Sequence, residues 1–484
     1  MSELMASLPP ELKKVATDSH YERLAYTHDM SSLDGFLTSD WLKTLPDLVV
    51  LPRNVQQVAA LLKWAAEHRV PVTPRGAGST SLFQSVPAKG GVLLDLNCLN
   101  TIGPWNLERP SVQVGAGTII YELQEEAKKR GLSLATFPSS APVGTIGGWF
   151  NNGGRGYGSL QHGSLLNQVE RLEVVLAGGE IVQCTHQSDP PIQWFFGSEG
   201  TLGVVTSLEL KLEPKPTSEA HMAFGFSNIG ELQRFLLKTI DGPFLPYNLT
   251  FVSATLGGQP IRRINWDAIL PGTFLAVDFF GDADQVEQGV QRVRWLKLEH
   301  ELHQLPKWQA EKFWADRFYN FRLQRTGPSL LGAETLMPLN KISSYVEGIG
   351  ALATGSQKPM ITFGYVTSRQ EAYVTTMFWT DEARTVQYLL DLSLVNSIYR
   401  TAFKFGAKPL GIGLWNTPYL KYAYSASERR KIRERKERLD PSGIINPGKA
   451  HNPPVVLKPR LFGASMTALR IFRKILQRLG RVES

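Results

Sequence analysis

The chain has 484 residues, 42% of them hydrophobic and 20% charged, with two cysteines and a net charge of +8. That length allows two or three domains around a large core. Cys98 and Cys184, both in apolar strand-like runs, supply neither a disulfide framework nor a metal spacing. Seven Lys or Arg and one Glu fall in residues 456–484, leaving only +2 for the rest, so a basic nucleic-acid-binding body is excluded.

The N-terminal residues show no basic n-region and no long apolar h-region, so they do not read as a signal peptide. No apolar run approaches ~18 residues, and the cytoplasm is the expected compartment. Residues 1–44 are poorly periodic. Asp47 to Leu51 reads as a strand, and Asn54 with Gln57 reads as a capping box. The helix that follows has Val55, Val58, Ala59, Leu62 and Ala66 on one stripe. Val70 to Thr73 is a strand that ends in the loop Pro74 to Ser81. Gly91 to Leu96 and Ser111 to Gly115 are further strands, and Thr118 is the expected cap of a helix that stops at Gly131. Between Gly144 and Gly158 lie seven glycines, where the chain average would put about one. Such a run lets main chain approach a ligand closely. The interleaved Ile146, Trp149, Phe150 and Tyr157 argue against a solvated linker.

Val169 to Ala177 and Glu180 to Gln183 form an expected hairpin around Gly178 and Gly179. Gly197 to Thr206 leads into the strand Leu208 to Leu212, and Glu213 to Pro216 marks a boundary. Residues 217–400 are richer in Trp, Phe and Arg, with strands alternating with longer helices, as in an α+β second domain. Residues 427–439 form a charged helix, followed by the turn-rich Asp440 to Lys449. In the tail, Ser465 or Thr467 is the expected helix start and Gly480 its end. Leu469, Phe472, Leu476 and Leu479, with Ile475, form one apolar stripe, and Arg470, Arg473, Lys474, Arg478 and Arg481 lie mostly opposite. That pattern suits either an anionic membrane surface or docking on the helix's own domain.

Successive backbone N–H groups at Gly76 to Ser81 can form an anion nest. A dinucleotide fingerprint needs a third glycine where Ser81 stands, and the Gly-Lys-Ser/Thr of a nucleoside-triphosphate loop is absent. The loops at 74–81, 138–158 and 197–203, with the ending Leu439 to Lys449, together resemble the FAD-binding fold of the vanillyl-alcohol oxidase and p-cresol methylhydroxylase (PCMH) family. The glycolate oxidase and D-lactate dehydrogenase branch is the nearest. The resemblance implies an α+β chain: a PCMH-type FAD-binding domain of two subdomains at 45–216 and an α+β substrate or cap domain at 217–400. A C-terminal segment at 401–455 returns to the flavin, and the basic tail occupies 456–484.

By that resemblance Arg75, Gly76, Ala77, Gly78, Ser79 and Thr80 cradle the pyrophosphate. Pro138, Ser139, Gly144, Thr145, Gly147 and Gly148, with Asn152 and Gly158, pass the ribityl chain and ring. Glu199, Gly200 and Val205 meet the adenosine half, and Asn446 closes the site. No His stands in the 74–81 loop and neither Cys in a glycine loop, so FAD is expected to be non-covalent. The branch's metal-binding histidine motifs are replaced: Tyr365 takes one position, and Pro409 and Leu410 take a Glu-His pair. No metal is expected. His162 and His221 are candidates near the flavin or ordinary structural histidines.

Arg317 resembles the arginine of a Trp-x-x-Arg segment that faces a substrate carboxylate, a role its fork suits; a salt bridge is the alternative. Tyr319, Arg322 and Tyr365 complete the catalytic candidates, Tyr365 as proton acceptor only if its pKa is strongly lowered. Two functions follow. One is an FAD-dependent oxidoreductase that takes a hydride from an alcohol or 2-hydroxy-acid carbon. The other is a non-catalytic FAD subunit relaying electrons in a larger dehydrogenase. Quinone or a partner protein is the candidate acceptor.

Overall fold

The computed structural model describes residues 3–31, 42–256, 259–260, 263–265, 269–319, 327–450 and 452–478. The chain divides into two compact units, one of residues 1–154, 164–214 and 411–462, the other of 155–163, 215–410 and 463–484.

Among its described residues the first unit holds two larger sheets and a two-stranded pair, Leu132–Ser133 with Glu213–Pro214. A four-stranded sheet runs in the order Ala16–Thr17, Leu48–Val50, Val92–Asp95, Val72–Arg75, the last three strands parallel. Their residues are mostly apolar and buried, as parallel strands covered on both faces require. The helix Val55–His68 crosses between Leu48–Val50 and Val72–Arg75. Asn54 caps it by accepting the Gln57 N–H, but the Gln57 side chain accepts from Arg53 rather than Asn54, so the expected capping box is half formed. Val58, Leu61, Leu62 and Ala65 bury its inner face with Leu48, Val72 and Leu94. Ile444 and Ile445, far along the chain, complete that core.

The second sheet is five-stranded and antiparallel, in the order Ile102–Asn106, Ser111–Gly115, Val204–Lys211, Val169–Val175, Ile181–Cys184. Three local expectations are corrected. The helix Ile120–Lys128 is preceded by Ile119 with no side-chain cap, because Thr118 spends its hydroxyl on the Thr101 carbonyl. Cys98 is exposed in a turn rather than buried in a strand, while Cys184 is buried. The glycine-rich stretch is not all loop: Thr145 caps a helix Ile146–Asn151 by accepting the Gly148 N–H.

The second unit is built on one large antiparallel sheet, in the order His303–Gln304, Ser218–Gly225, Thr273–Gly281, Asn248–Leu256, Met360–Val366, Glu371–Thr380, Ser329–Pro338, Lys408–Pro409. Side chains alternate between its faces. One face packs on long helices: Tyr345 of Ile342–Ser356 hydrogen-bonds Thr376, and Gly289 of Ala283–Glu299 lies so close to the Phe279 ring that a Cβ would stand 2.4 Å from it. The other face carries Ala223, Val252, Phe274, Phe363 and Met377 beneath the short helix Lys307–Ala315, which contributes Ala310 and Phe313.

The C-terminal helix also departs from expectation. It spans Pro459–Arg478, starting before Ser465; Leu479, Gly480 and Arg481 lie outside the described residues. Arg473 is buried, whereas Phe472 and Ile475 are about half exposed. The buried cation is tolerated because the Asp391 carboxylate lies beside it.

Candidate active site

In the first unit, three glycine-rich segments meet at one cleft. Arg75, Gly76, Ala77, Gly78, Ser79, Thr80, Gly144, Thr145, Gly147, Gly148, Asn152, Glu199, Gly200 and Val205 line it. Pro138, Ser139 and Asn446 of the same unit stand outside the lining, and Gly158 belongs to the second unit. Close approach explains the glycines. A Cβ on Gly76 would stand 2.2 Å from Thr145 Oγ1, and one on Gly147 2.5 Å from the Ala116 Cβ. Among the described residues, the backbone N–H groups of Ala77, Gly78 and Ser79 meet no acceptor. They form the donor row a phosphate group takes up.

The loop is braced from beneath by residues 26–31. Arg75 donates to the His28 carbonyl at 2.7 Å, and its guanidinium lies 5.4 Å from the Tyr26 ring centre. Tyr26 donates to Asp95, and Asp29 accepts from Ser31 and from the Thr80 hydroxyl. Burial pushes the Asp29 carboxyl up and the Arg75 guanidinium down, each partly offset by the other's charge. Arg75 therefore fixes the loop's shape as well as lining the cleft.

At the other wall, Asn151 binds two segments together, donating to the Gly147 carbonyl and accepting the Gly200 N–H. Behind it lies a buried polar cluster. Glu199 accepts from Gln84 and from the N–H groups of Ile412 and Gly413. Asn446, held at φ +45°, donates to the carbonyls of Gln84 and Glu199. Lys449 donates to the Val86 carbonyl and to Asn446. Burial pushes the Glu199 carboxyl up, and burial lowers the Lys449 ammonium to about 7.

In the second unit, the end of the sheet face beyond the Lys307–Ala315 helix is polar. His221, Asp278 and Asn248 sit opposite one another on three strands. His221 Nδ1 is 2.7 Å from Asp278 Oδ1, and Asn248 donates to Asp278 Oδ2 at 2.7 Å. Burial pushes the Asp278 carboxyl up, against the stabilisation from His221. Trp314 stacks on His221 at 5.7 Å, and the Arg317 guanidinium lies 4.4 Å from the Trp314 ring centre. Arg317 donates to the Trp314 carbonyl, and its own carbonyl accepts from the Tyr157 hydroxyl.

Tyr365 stacks on Tyr373 at 4.7 Å and lies 5.5 Å from Tyr157. Its hydroxyl donates to the Arg155 carbonyl. Burial raises the Tyr365 phenol far above its usual value. It therefore cannot take a proton near neutral pH, the opposite of what a base at this position needs. Arg317 and Tyr365 thus share one sheet end, linked through Tyr157. Tyr319 is exposed, and Arg322 lies outside the described residues. His162 lies 6.2 Å from Tyr247. The sequence reading missed Asp278 and Asn248, 57 and 27 residues from His221, because only strand register unites them. No group of three or more His, Cys, Asp or Glu among the described residues is placed to hold a metal ion.

A family profile described as an FAD binding domain matches residues 46–185, and one described as the C-terminal domain of FAD linked oxidases matches 274–450. The chain carries an FAD binding domain and the C-terminal domain of FAD linked oxidases. Glycolate oxidase subunit GlcD of Bacillus subtilis is 26% identical over 454 residues, 89% of this chain and 93% of the relative. D-lactate dehydrogenase of Anaerostipes hadrus is 24% identical over 447 residues, 88% and 92% respectively. Solved p-cresol methylhydroxylase with substrate bound has a similar fold, with a TM-score of 0.75 at 16% identity over 93% of this chain and 96% of that one. Alkyldihydroxyacetonephosphate synthase gives a TM-score of 0.73 at 18% identity over 92% and 84%.

The cleft fits FAD. The N–H groups of Ala77 to Ser79 suit a diphosphate, and the walls at Gly144, Gly147 and Gly148 carry no side chain to block a flat ring. Its lining includes neither His nor Cys.

Proposed function

We propose that this flavoprotein binds FAD non-covalently and oxidises the CH–OH carbon of a small 2-hydroxy acid or related alcohol. Residues 45–216 hold the cofactor, 217–400 form the substrate domain and 401–455 complete the flavin site. When bound, FAD supplies a hydride acceptor at its N5. The chain's own groups bind and orient the substrate. Arg317, stacked on Trp314, carries the fixed positive charge for a carboxylate. His221, oriented by Asp278, offers an imidazole that can take the hydroxyl proton. Tyr365 keeps its proton and serves as a hydrogen-bond donor. The observation that carries this reading is that Arg317 and the His221–Asp278 pair share one ring, Trp314. The similarity to proteins named glycolate oxidase subunit and D-lactate dehydrogenase supports the substrate class.

The second reading is an FAD subunit that relays electrons without oxidising a substrate itself. It is favoured by Pro409 and Leu410, which stand in a strand edge pairing with Glu334–Leu336 where the hydroxy-acid branch has a Glu-His pair. We place the protein in the cytoplasm, with quinone or a partner protein as acceptor and a peripheral membrane contact through residues 463–481. Anaerobic mixing of the FAD-loaded protein with a panel of hydroxy acids and sugar alcohols separates the readings. Bleaching of the flavin by a hydroxy acid, lost in Arg317→Ala, is expected. A flavin that dithionite reduces but no panel member does favours the relay.

A further inference from the structure

The helix Pro459–Arg478 carries Arg460, Arg470, Arg473, Lys474 and Arg478 and no acidic residue. From residue 463 onward it belongs to the second unit. Its side chains there fall into three strips rather than the two that a simple amphipathic helix has. The inner strip is Met466, Leu469, Arg473 and Leu476, buried or half-buried. Arg473 pins it: Nη1 donates to Asp391 and Nη2 to the Ser356 carbonyl, both at 3.3 Å. Asp391, itself inaccessible, also accepts from Lys358 and Thr380. The outer strip is Ala464, Ala468, Ile471 and Ile475, which at 3.6 residues per turn fall within about 60° of one another. Phe472 stands at its edge. Ile471 is 53% exposed, and Phe472 and Ile475 are 47% exposed each. Arg470 and Lys474, both exposed, form the third strip, between the other two.

We propose that the outer strip is a docking surface for an anionic lipid bilayer. The helix lies in the interface plane, with Ile471, Phe472 and Ile475 in the acyl boundary and Arg470 and Lys474 at headgroup level. Three observations favour this occupant. Large apolar side chains are grouped on an exposed face, where soluble surfaces scatter them singly. Every charge on the helix is positive, which complements lipid phosphates; a second copy of this chain would bring the same cations with no acid on the helix to meet them. The helix is held by the Arg473–Asp391 pair, so the strip is presented on a fixed base. No helix among the described residues is long and apolar enough to cross a membrane, in keeping with a contact that lies on the surface. This deepens the membrane contact of the proposed function and is independent of the hydroxy-acid reading, because lipid binding needs neither substrate nor turnover.

The test is sedimentation of the full-length, FAD-loaded protein with vesicles of phosphatidylcholine and phosphatidylglycerol in equal parts, and with pure phosphatidylcholine. Binding to the mixed vesicles at low salt, weakened by salt, is expected. Ile471→Glu with Ile475→Glu should lower the partition coefficient on mixed vesicles at least about tenfold. Arg470→Gln with Lys474→Gln should lower it by about tenfold or more on mixed vesicles, with no change on pure phosphatidylcholine. All four side chains are exposed, so unchanged thermal melting and flavin content certify each variant's fold. Failure of the wild type to sediment with mixed vesicles at low salt overturns the proposal, as does wild-type binding by the Ile471→Glu, Ile475→Glu variant. A concentration-dependent dimer that this variant abolishes, without vesicle binding, also overturns it and makes the strip an interface between copies. Flavin bleaching measured on the same samples reports separately on the hydroxy-acid reading.

Discussion

Lys449 offers a quantitative test of the wall behind the flavin cleft. Its side chain is fully buried, donates to the Val86 carbonyl and Asn446, and has Glu199 as the largest opposing charge. Burial lowers its ammonium from 10.5 to about 7. Between those values the unfolded chain binds a proton that the folded chain does not, so this group makes stability rise with pH across that window. Each pH unit inside it is worth about 1.4 kcal/mol, which gives roughly 2–3 kcal/mol between pH 6 and pH 9. Lys449→Met removes that titration. It also leaves the buried Glu199 carboxyl without its cation, which raises that carboxyl further. A carboxyl raised above its unfolded value loses stability as pH rises, so this second effect acts in the same direction. The stability of wild type relative to Lys449→Met therefore rises with pH, whatever the sign of the difference at pH 6. Other titrating groups cancel in the difference. At about 2 °C per kcal/mol for a unit of this size, the melting temperature of wild type minus that of the variant should rise by about 5 °C from pH 6 to pH 9. Parallel melting temperatures across that range would refute the reasoning.

Gly147→Ala places a methyl 2.5 Å from the Ala116 Cβ and 2.9 Å from its carbonyl oxygen; it should cost about 1–3 kcal/mol and lower the flavin-to-protein absorbance ratio of the purified protein. Asp391→Asn leaves Lys358 and Arg473 buried without their carboxylate and should cost about 3–5 kcal/mol by thermal melting, with flavin content unchanged if the two units melt separately. Chelator treatment followed by assay should leave any turnover intact, and a loss that zinc or manganese restores would contradict the metal-free reading.

The loops at 74–81, 144–148 and 199–205 were legible because each is a short local run whose glycines and hydroxyls state their own purpose. The wall behind them was not. Gln84, Glu199, Ile412 and Lys449 come from four separated segments, and no periodicity relates a buried Glu to a Lys so far along the chain. The His221–Asp278–Asn248 row was invisible for the same reason, since register across strands is a tertiary fact. Tyr365 was found by position, yet its role as a proton acceptor fell to burial, which a sequence does not report. In the tail, helical spacing gave one apolar stripe. The structure divides those residues: Leu469 and Leu476 join an inner strip with Arg473, while Ile475 joins an outer one with Ile471, a residue outside the expected stripe, because Asp391 supplies the charge that lets an arginine turn inward.

The most direct measurement concerns the cofactor itself. The purified or reconstituted protein should show a flavin spectrum with about one flavin per chain, and acid precipitation should release FAD to the supernatant and leave a colourless pellet. A yellow pellet, or no flavin under any reconstitution condition, would contradict it.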